Sequence, residues 1–236
     1  MIIANKYRLV ENIGQGEFGY ILKAENIRTR EFVALKKEPI QKGLKLLKNE
    51  TKIYQYLASE KGFPRVLWFG VYEDNYYMAL QLLGHSLRIR TAFSLQQIIR
   101  ITIQMIKRLE CLHEKGFIHR DIKPDNFLFG LNENCEELYL IDFGFCKKYL
   151  LEDGSHILFR ENRPMIGTPN FVSENVRNGY EPSRRDDLES VGNIMYYLLE
   201  KNGLIKSNIV QDYIHSCRKI RFDEKPDYDC LIRLLC

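Results

Sequence analysis

Alternating apolar and polar residues run through the first third of the chain and predict five strands, over residues 7–13, 20–24, 32–36, 66–72 and 76–82. A helix over residues 43–58 is predicted between the third and fourth strands, because Leu46, Ile53 and Leu57 recur at helical spacing. The pattern breaks at residues 82–84. The first third is therefore expected to form a β-rich lobe that contains one helix.

Helical periodicity dominates the rest of the chain. Ser94 and Gln97 have the form of a capping box, and Gly116 is placed to end the helix that they begin. A second apolar helix is predicted from Ser183 to about Leu199. Between these helices, residues 138–141 form a short apolar stretch typical of a buried strand. A larger helical lobe is expected here.

Composition narrows the class of protein. At 236 residues, 45% hydrophobic and 28% charged, the chain has enough length and apolar content for a soluble two-lobed domain. A net charge of +4 is too mild to indicate nucleic-acid binding, but it is compatible with acidic substrates. The six cysteines are scattered without a C-x-x-C pair, which favours free thiols. Neither a signal peptide nor a membrane span is predicted.

The densest polar cluster lies in residues 117–130, between apolar flanks. Pro124 argues against a regular helix there, since its ring fixes φ and it has no N–H to donate. Asp121 is suited to accept a hydroxyl proton, Lys123 to offset charge on a moving phosphoryl group, and Asn126 to hold a metal ion. A polar turn without a ligand is the alternative, although a pattern of this length is specific.

Three glycines, Gly14, Gly16 and Gly19, separate the first two predicted strands. A loop of this kind allows the backbone to approach phosphates closely. The same G-x-G-x-x-G spacing occurs in dinucleotide-binding turns, but those require a helix directly after the glycines. A plain hairpin turn is the other alternative.

A lysine and a glutamate are expected to pair in the first lobe. Lys36 ends the third predicted strand, and Glu50 falls inside the apolar stripe of the following helix. Burying a carboxylate alone is costly, so Glu50 needs a cation, and Lys36 is the nearest suitable one. Such a pair orients a lysine on the phosphates of a nucleotide. The alternatives are a solvated Lys36 and a Glu50 that turns outward.

Asp142 is a candidate metal ligand, because it directly follows the buried stretch 138–141 and precedes Phe143 and Gly144. Mg²⁺ prefers oxygen ligands, and substrate phosphates normally complete its shell. Asp142 and Asn126 are therefore the expected protein ligands. Asp125 is expected to be structural.

Together these motifs resemble those of protein kinases, and more specifically the casein kinase 1 family of serine/threonine kinases. The stretches that carry the resemblance are residues 118–128, 141–144 with 147–149, 183–190 and 223–228. The resemblance covers essentially the whole chain. It implies an α+β, bilobal kinase fold in one domain, with an N-terminal lobe of about residues 1–82, a hinge near 81–84 and a shortened C-terminal lobe from about 85 to 236.

The resemblance also implies ATP and Mg²⁺ as cofactors and transfer of the γ-phosphate to serine or threonine. The implied nucleotide-binding residues are Ile13, Gly14, Gly16, Gly19, Ile21, Ala34, Lys36, Glu50, Leu80, Leu82, Leu128 and Asp142. Lys123 favours serine/threonine over tyrosine as the acceptor. Asp187 with Gly192 matches the central helix of the family, whose aspartate braces the catalytic loop. Protein substrates that are acidic or already phosphorylated, a monomer, and a cytoplasmic or nuclear location are expected.

Three departures from the family limit the comparison. Asn170 stands where the family has an arginine that helps bind a priming phosphate. The cations Arg120, Lys147 and Arg163 still match the second basic cluster of the family, so an anion site is expected there. The alternative is that these three charges belong to a solvated surface. Residues 199–221 are expected to lack most of a docking helix. The last helices and the regulatory tail are expected to be absent after Cys236.

Two other functions compete with an active kinase. A pseudokinase scaffold predicts the loss of a key residue, yet Lys36, Glu50, Asp121, Asn126 and Asp142 are all present. A small-molecule phosphotransferase would share the nucleotide site, but the casein-kinase-like stretch 183–190 argues against it.

Overall fold

The computed structural model describes residues 1–16, 19–40, 46–90, 92–204 and 208–236. Within these ranges there are ten strands and six α-helices. The strands are β1 Ile2–Ile3, β2 Tyr7–Gly16, β3 Gly19–Asn26, β4 Phe32–Pro39, β5 Val66–Tyr72, β6 Asn75–Gln81, β7 Phe117–Ile118, β8 Phe127–Phe129, β9 Leu138–Leu140 and β10 Lys147–Lys148. The helices are α1 Leu46–Tyr56, α2 Leu95–Glu114, α3 Glu174–Arg177, α4 Arg184–Lys201, α5 Ile209–Lys219 and α6 Tyr228–Arg233.

The first of two compact units combines Met1–Gly84 with Phe129–Gly144. Its main feature is a six-stranded antiparallel sheet in the order β1-β2-β3-β4-β6-β5. Alternate side chains of these strands point to one face, where Tyr7, Val33, Leu35 and Tyr77 are buried together. All five predicted strands are present, and β1 is an additional short edge strand.

Helix α1 packs against β5 and β6. It begins beside Glu38 of β4, whose buried carboxylate accepts a 2.7 Å hydrogen bond from the N–H of Leu47. This bond satisfies one of the amide groups that the first turn of a helix leaves without a partner. The helix ends at Tyr56, two residues before the predicted end. Its predicted start, residues 43–45, lies outside the described residues.

The two units divide after Gly84, within the predicted hinge, and no strand or helix covers residues 82–84. The segment Phe129–Gly144 groups with the first unit, although the sequence places it in the second lobe. This segment carries Asp142 and Phe143, and the side chain of Phe143 packs with Tyr54 of α1. Close contacts of this kind, formed between residues far apart in sequence, are not encoded in local periodicity.

The second unit combines His85–Leu128 with Phe145–Cys236 and is mostly helical. Helix α2 has the predicted capping box, since Ser94 and Gln97 exchange hydrogen bonds between side chain and backbone. Gly116 follows its end with φ +83°, a conformation that favours glycine. The predicted apolar stripe of α2 is buried: Ile98, Ile101, Met105, Leu109 and Leu112.

Helix α4 packs against both α2 and α5, and α6 packs against α2. The stretch 199–221 contains α5, an eleven-residue helix whose Val210, Tyr213 and Cys217 are buried. That this stretch lacks most of the docking helix of the family that it resembles stays a prediction. Among the described residues, no helix is long and apolar enough to span a bilayer.

Candidate active site

The glycine-rich stretch is a hairpin between two paired strands. Strands β2 and β3 pair from Tyr7 with Asn26 up to Gly16 with Gly19. A strand therefore follows the glycines, and the dinucleotide-binding alternative, which requires a helix, is wrong. A side chain at Gly19 would overlap the backbone carbonyl of Lys37, so glycine is required there. Glu17 and Phe18 lie outside the described residues.

The first group of candidate residues is the Lys36 cluster, made of Lys36, Glu50 and Asp142. The Nζ of Lys36 lies 2.7 Å from Oε2 of Glu50 and 2.8 Å from Oδ1 of Asp142. Glu50 is 2% exposed, so it faces inward, as its place in the apolar stripe of α1 predicts. Burial alone lowers the pKa of Lys36, but Glu50 and Asp142 outweigh it and raise that pKa. Lys36 is therefore held in place as a cation.

Helix α1 also positions the aspartate. Tyr54 lies one turn after Glu50 on the same face, and its hydroxyl oxygen accepts a 3.3 Å hydrogen bond from the N–H of Asp142. The ring of Phe143 meets that of Tyr54 edge-on, with centroids 4.7 Å apart. Asp142 has φ +67°, a strained conformation for this residue, which these contacts stabilise.

The second group is the Asp121 cluster, made of Asp121, Lys123, Asn126 and Thr168, all in the second unit. Asp121 is 3% exposed, and its Oδ2 lies 2.6 Å from Nζ of Lys123. Its Oδ1 accepts a 2.8 Å hydrogen bond from the hydroxyl of Thr168. Asn126 donates from Nδ2 to the backbone oxygen of Asp121 at 2.9 Å. A single 3₁₀ turn, Pro124–Asn126, brings Asn126 back toward Asp121.

The backbone that carries Asp121 is braced by Asp187 of α4, as the resemblance implied. The carboxylate of Asp187 accepts hydrogen bonds from the N–H groups of His119, at 2.7 Å, and Arg120, at 2.9 Å. Its Oδ2 also lies 3.1 Å from Nε2 of His113, whose Nδ1 lies 2.8 Å from the hydroxyl of Tyr228. Burial raises the pKa of Asp187, but its hydrogen bonds outweigh burial and lower that pKa. Asp187 is therefore ionised in the buried brace.

Arg120 has φ +69°, which is unfavourable for a residue with a side chain. Its N–H bond to Asp187 and a 2.6 Å bond from its Nε to the backbone oxygen of Phe145 stabilise this conformation. The guanidinium of Arg120 is thus directed at the backbone. It connects residues 119–126, named here the Asp121 loop, to the chain that follows Gly144.

The predicted basic cluster contains a carboxylate that the sequence argument missed. Lys147 Nζ lies 2.6 Å from Oε1 of Glu181, and Arg163 Nε lies 3.3 Å from Oε2. Glu181 is 2% exposed. Lys147 and Arg163 are therefore not the freely solvated charges of the alternative interpretation. A glutamate isolated in sequence gives no local signal of such a role.

Two candidate metal ligands suit Mg²⁺ in their chemistry. Asn126 directs its amide nitrogen at Asp121, which leaves the amide oxygen as the atom that can meet a cation. Asp142 provides carboxylate oxygens and is already held by Lys36. Oxygen donors of this kind are those that Mg²⁺ prefers.

The remaining nucleotide-binding candidates are distributed over several strands. Ile13 and Gly14 are in β2, Gly19 and Ile21 in β3, Ala34 in β4, Leu80 in β6 and Leu128 in β8, and Leu82 follows β6. Leu80 is buried, whereas Ile13 is 45% exposed.

A β-rich unit with a Lys–Glu pair and a helical unit with a braced Asp121 loop together define the protein kinase fold. The chain matches the family model of the protein kinase domain over residues 7–229. It belongs to the protein kinase family.

Proposed function

We propose that this protein is a serine/threonine kinase of the casein kinase 1 type, which transfers the γ-phosphate of ATP to hydroxyl groups of acidic protein substrates. The observation that carries the proposal is the Asp121 cluster, in which a buried carboxylate lies beside a lysine ammonium. The resemblance to casein kinase 1 supports the family assignment, and Lys123 supports serine or threonine as the acceptor. A cytoplasmic or nuclear location is proposed on the same resemblance.

Each residue of the cluster has a distinct task in this proposal. Asp121 orients the acceptor hydroxyl and takes its proton, and Lys123 offsets the negative charge that develops during transfer. Thr168, whose hydroxyl bonds to Asp121, positions that carboxylate. In the first unit, Lys36 orients the nucleotide phosphates, and Glu50 keeps Lys36 in place. Mg²⁺, when bound, neutralises charge on the β- and γ-phosphates.

The proposal is tested by supplying labelled MgATP and casein and measuring phosphate incorporated into serine and threonine. We expect incorporation at both residue types and none at tyrosine. A folded protein that binds ATP but transfers nothing would favour the pseudokinase scaffold. Transfer to a small metabolite instead of casein would identify a small-molecule phosphotransferase.

Replacing Lys36 with methionine is expected to raise the KM for ATP and to lower kcat, because the cation that orients the phosphates is lost. Misplaced reacting groups commonly cost about 10²-fold in rate, and a loss of roughly that size in kcat/KM for ATP is expected. Steady-state kinetics with varied ATP measures both constants.

Lys37→Met is the matched control for this variant. Lys37 is the next residue of β4, so its side chain points to the opposite face, where it lies 5.9 Å from the centroid of the Tyr77 ring. Its kinetic constants for ATP should stay near those of the wild type. Equal constants for Lys36→Met and Lys37→Met would remove the Lys36–Glu50 pair from the mechanism.

A further inference from the structure

Arg88, which no sequence motif singled out, forms an ion pair with Asp125 in the Asp121 loop. Arg88 Nε lies 3.3 Å and 3.1 Å from the two carboxylate oxygens of Asp125, and Arg88 Nη2 lies 2.9 Å from Oδ2. This two-pronged contact holds an arginine in one orientation, which a lysine cannot reproduce. Asp125 immediately precedes Asn126 in the 3₁₀ turn.

Aromatic rings hold the guanidinium of Arg88 in place. Its Cζ lies 5.4 Å from the ring centroid of Phe171 and 5.0 Å from that of Tyr197. The backbone oxygen of Arg88 accepts a 2.8 Å hydrogen bond from Nζ of Lys201, and that ammonium also lies 5.6 Å from the Tyr197 ring. Arg88, Asp125 and Lys201 therefore form one charged group, named here the Arg88 triad.

The position of the triad relates it to the proposed reaction. Asp125 belongs to the loop that carries Asp121. Phe171 donates its N–H to the oxygen of Thr168, whose hydroxyl bonds to Asp121. Through Asp125 and the ring of Phe171, the triad contacts both the loop that carries Asp121 and the segment that contains Thr168. It therefore lies next to the place where an acceptor residue has to approach the Asp121 carboxylate.

The charges of the triad do not cancel. Two cations and one carboxylate leave a single excess positive charge. Arg88 and Asp125 are 38% and 45% exposed, so an approaching peptide can sense them. An exposed ion pair of this kind contributes little to stability. Replacement of Arg88 or Asp125 by an uncharged residue nevertheless leaves the charge of the other residue uncompensated, next to the site of the acceptor serine.

We infer that Arg88 is a specificity-determining residue: by neutralising Asp125, it keeps the border of the acceptor site positive and favours acidic over basic residues around the phosphorylated serine. The inference rests on the proposed function and adds the residues that set its substrate preference. Loss of Arg88 brings the triad to zero net charge and exposes the Asp125 carboxylate. Loss of Asp125 raises the excess to two positive charges.

The test compares kcat/KM for two peptides that differ only in the residues flanking one serine, aspartates in one and arginines in the other. Arg88→Met, which keeps an apolar stem against Phe171, should lower the acidic-to-basic ratio by roughly 25-fold. Loss of one unit charge at contact distance in water lowers kcat/KM for the acidic peptide by roughly fivefold and raises it for the basic peptide by roughly the same factor. Asp125→Ala should raise the ratio by a similar factor. In the double variant Lys201 remains, and the ratio should return close to that of the wild type.

Two control variants test whether the ratio depends on the shape of the side chain at position 88 or on the total charge of the protein. Arg88→Lys keeps the cation but loses the two-pronged contact, so its ratio should stay near the wild-type value. Arg8→Met removes an arginine that pairs with Glu25 at 3.1 Å in the first unit, and it should not change the ratio. Melting temperatures confirm that each variant is folded.

Unchanged ratios in both Arg88→Met and Asp125→Ala would overturn the inference while leaving the proposed kinase activity in place. A shift in Arg8→Met as large as that in Arg88→Met would also overturn it, because the cause would then be total charge. A wild-type protein that phosphorylates neither peptide nor casein would overturn the proposed function and this inference together.

Discussion

Replacement of Asp121 with asparagine is expected to lower kcat by about 10²- to 10⁴-fold, the usual contribution of a positioned general base. An amide has nearly the same shape and can still accept the hydrogen bond from Thr168, which in the wild type is 2.8 Å long. It cannot take a proton from the acceptor hydroxyl, and it no longer attracts Lys123 as a carboxylate does. The chemical step therefore slows while the loop keeps its conformation.

ATP binding should persist in Asp121→Asn, because the residues proposed to hold the nucleotide phosphates are unchanged. Titration with ATP measures its affinity, and transfer of labelled γ-phosphate measures kcat in the same preparation. Asp229→Asn, an equivalent change at an exposed residue of α6, should have wild-type kinetics. Turnover by Asp121→Asn at the wild-type rate would contradict the assignment of Asp121 as the base.

Replacement of Asp187 with alanine is expected to lower the free energy of unfolding by about 3–5 kcal/mol and to remove most activity. Asp187 is 3% exposed, and its carboxylate accepts hydrogen bonds from two backbone N–H groups. The same carboxylate lies beside the ring of His113. Each buried donor that loses its acceptor costs about 1–3 kcal/mol. The loss also releases the strained backbone of Arg120, which directly precedes Asp121.

Denaturant or thermal unfolding measures this effect, with Asp212→Ala as the matched control. Asp212 is an exposed aspartate in α5 of the same unit, so its replacement should change stability by less than about 0.5 kcal/mol. Asp187→Asn should fall between the two, because it retains one oxygen acceptor. A stability of Asp187→Ala equal to that of Asp212→Ala would show that the brace does not hold the loop.

The strands and long helices were predictable because their apolar residues repeat at the period of the element. The strand 66–72 is observed with the predicted bounds, and α2 begins at the predicted capping box. The pairing of Lys36 with Glu50 was also predictable, since a glutamate within an apolar helical stripe requires a nearby cation. In each case the information lies within a few consecutive turns or strands.

Other features depend on residues that are distant in sequence. Glu181 lies 34 residues after Lys147, and Arg88 lies 37 residues before Asp125, so no local pattern connects either pair. The left-handed conformations of Arg120 and Asp142 are likewise unexpected for residues with side chains, and contacts to Asp187 and Tyr54 stabilise them.

The sequence by itself therefore determined the order of elements, the kinase motifs and the candidate residues for nucleotide binding and phosphate transfer. It did so because helical and strand periodicities, capping residues and motif spacing are local properties. The tertiary structure alone decided which charges neutralise one another around the Asp121 loop and how its backbone is braced. Those outcomes depend on burial and on distances between side chains from separate segments, which are defined only when the chain has folded.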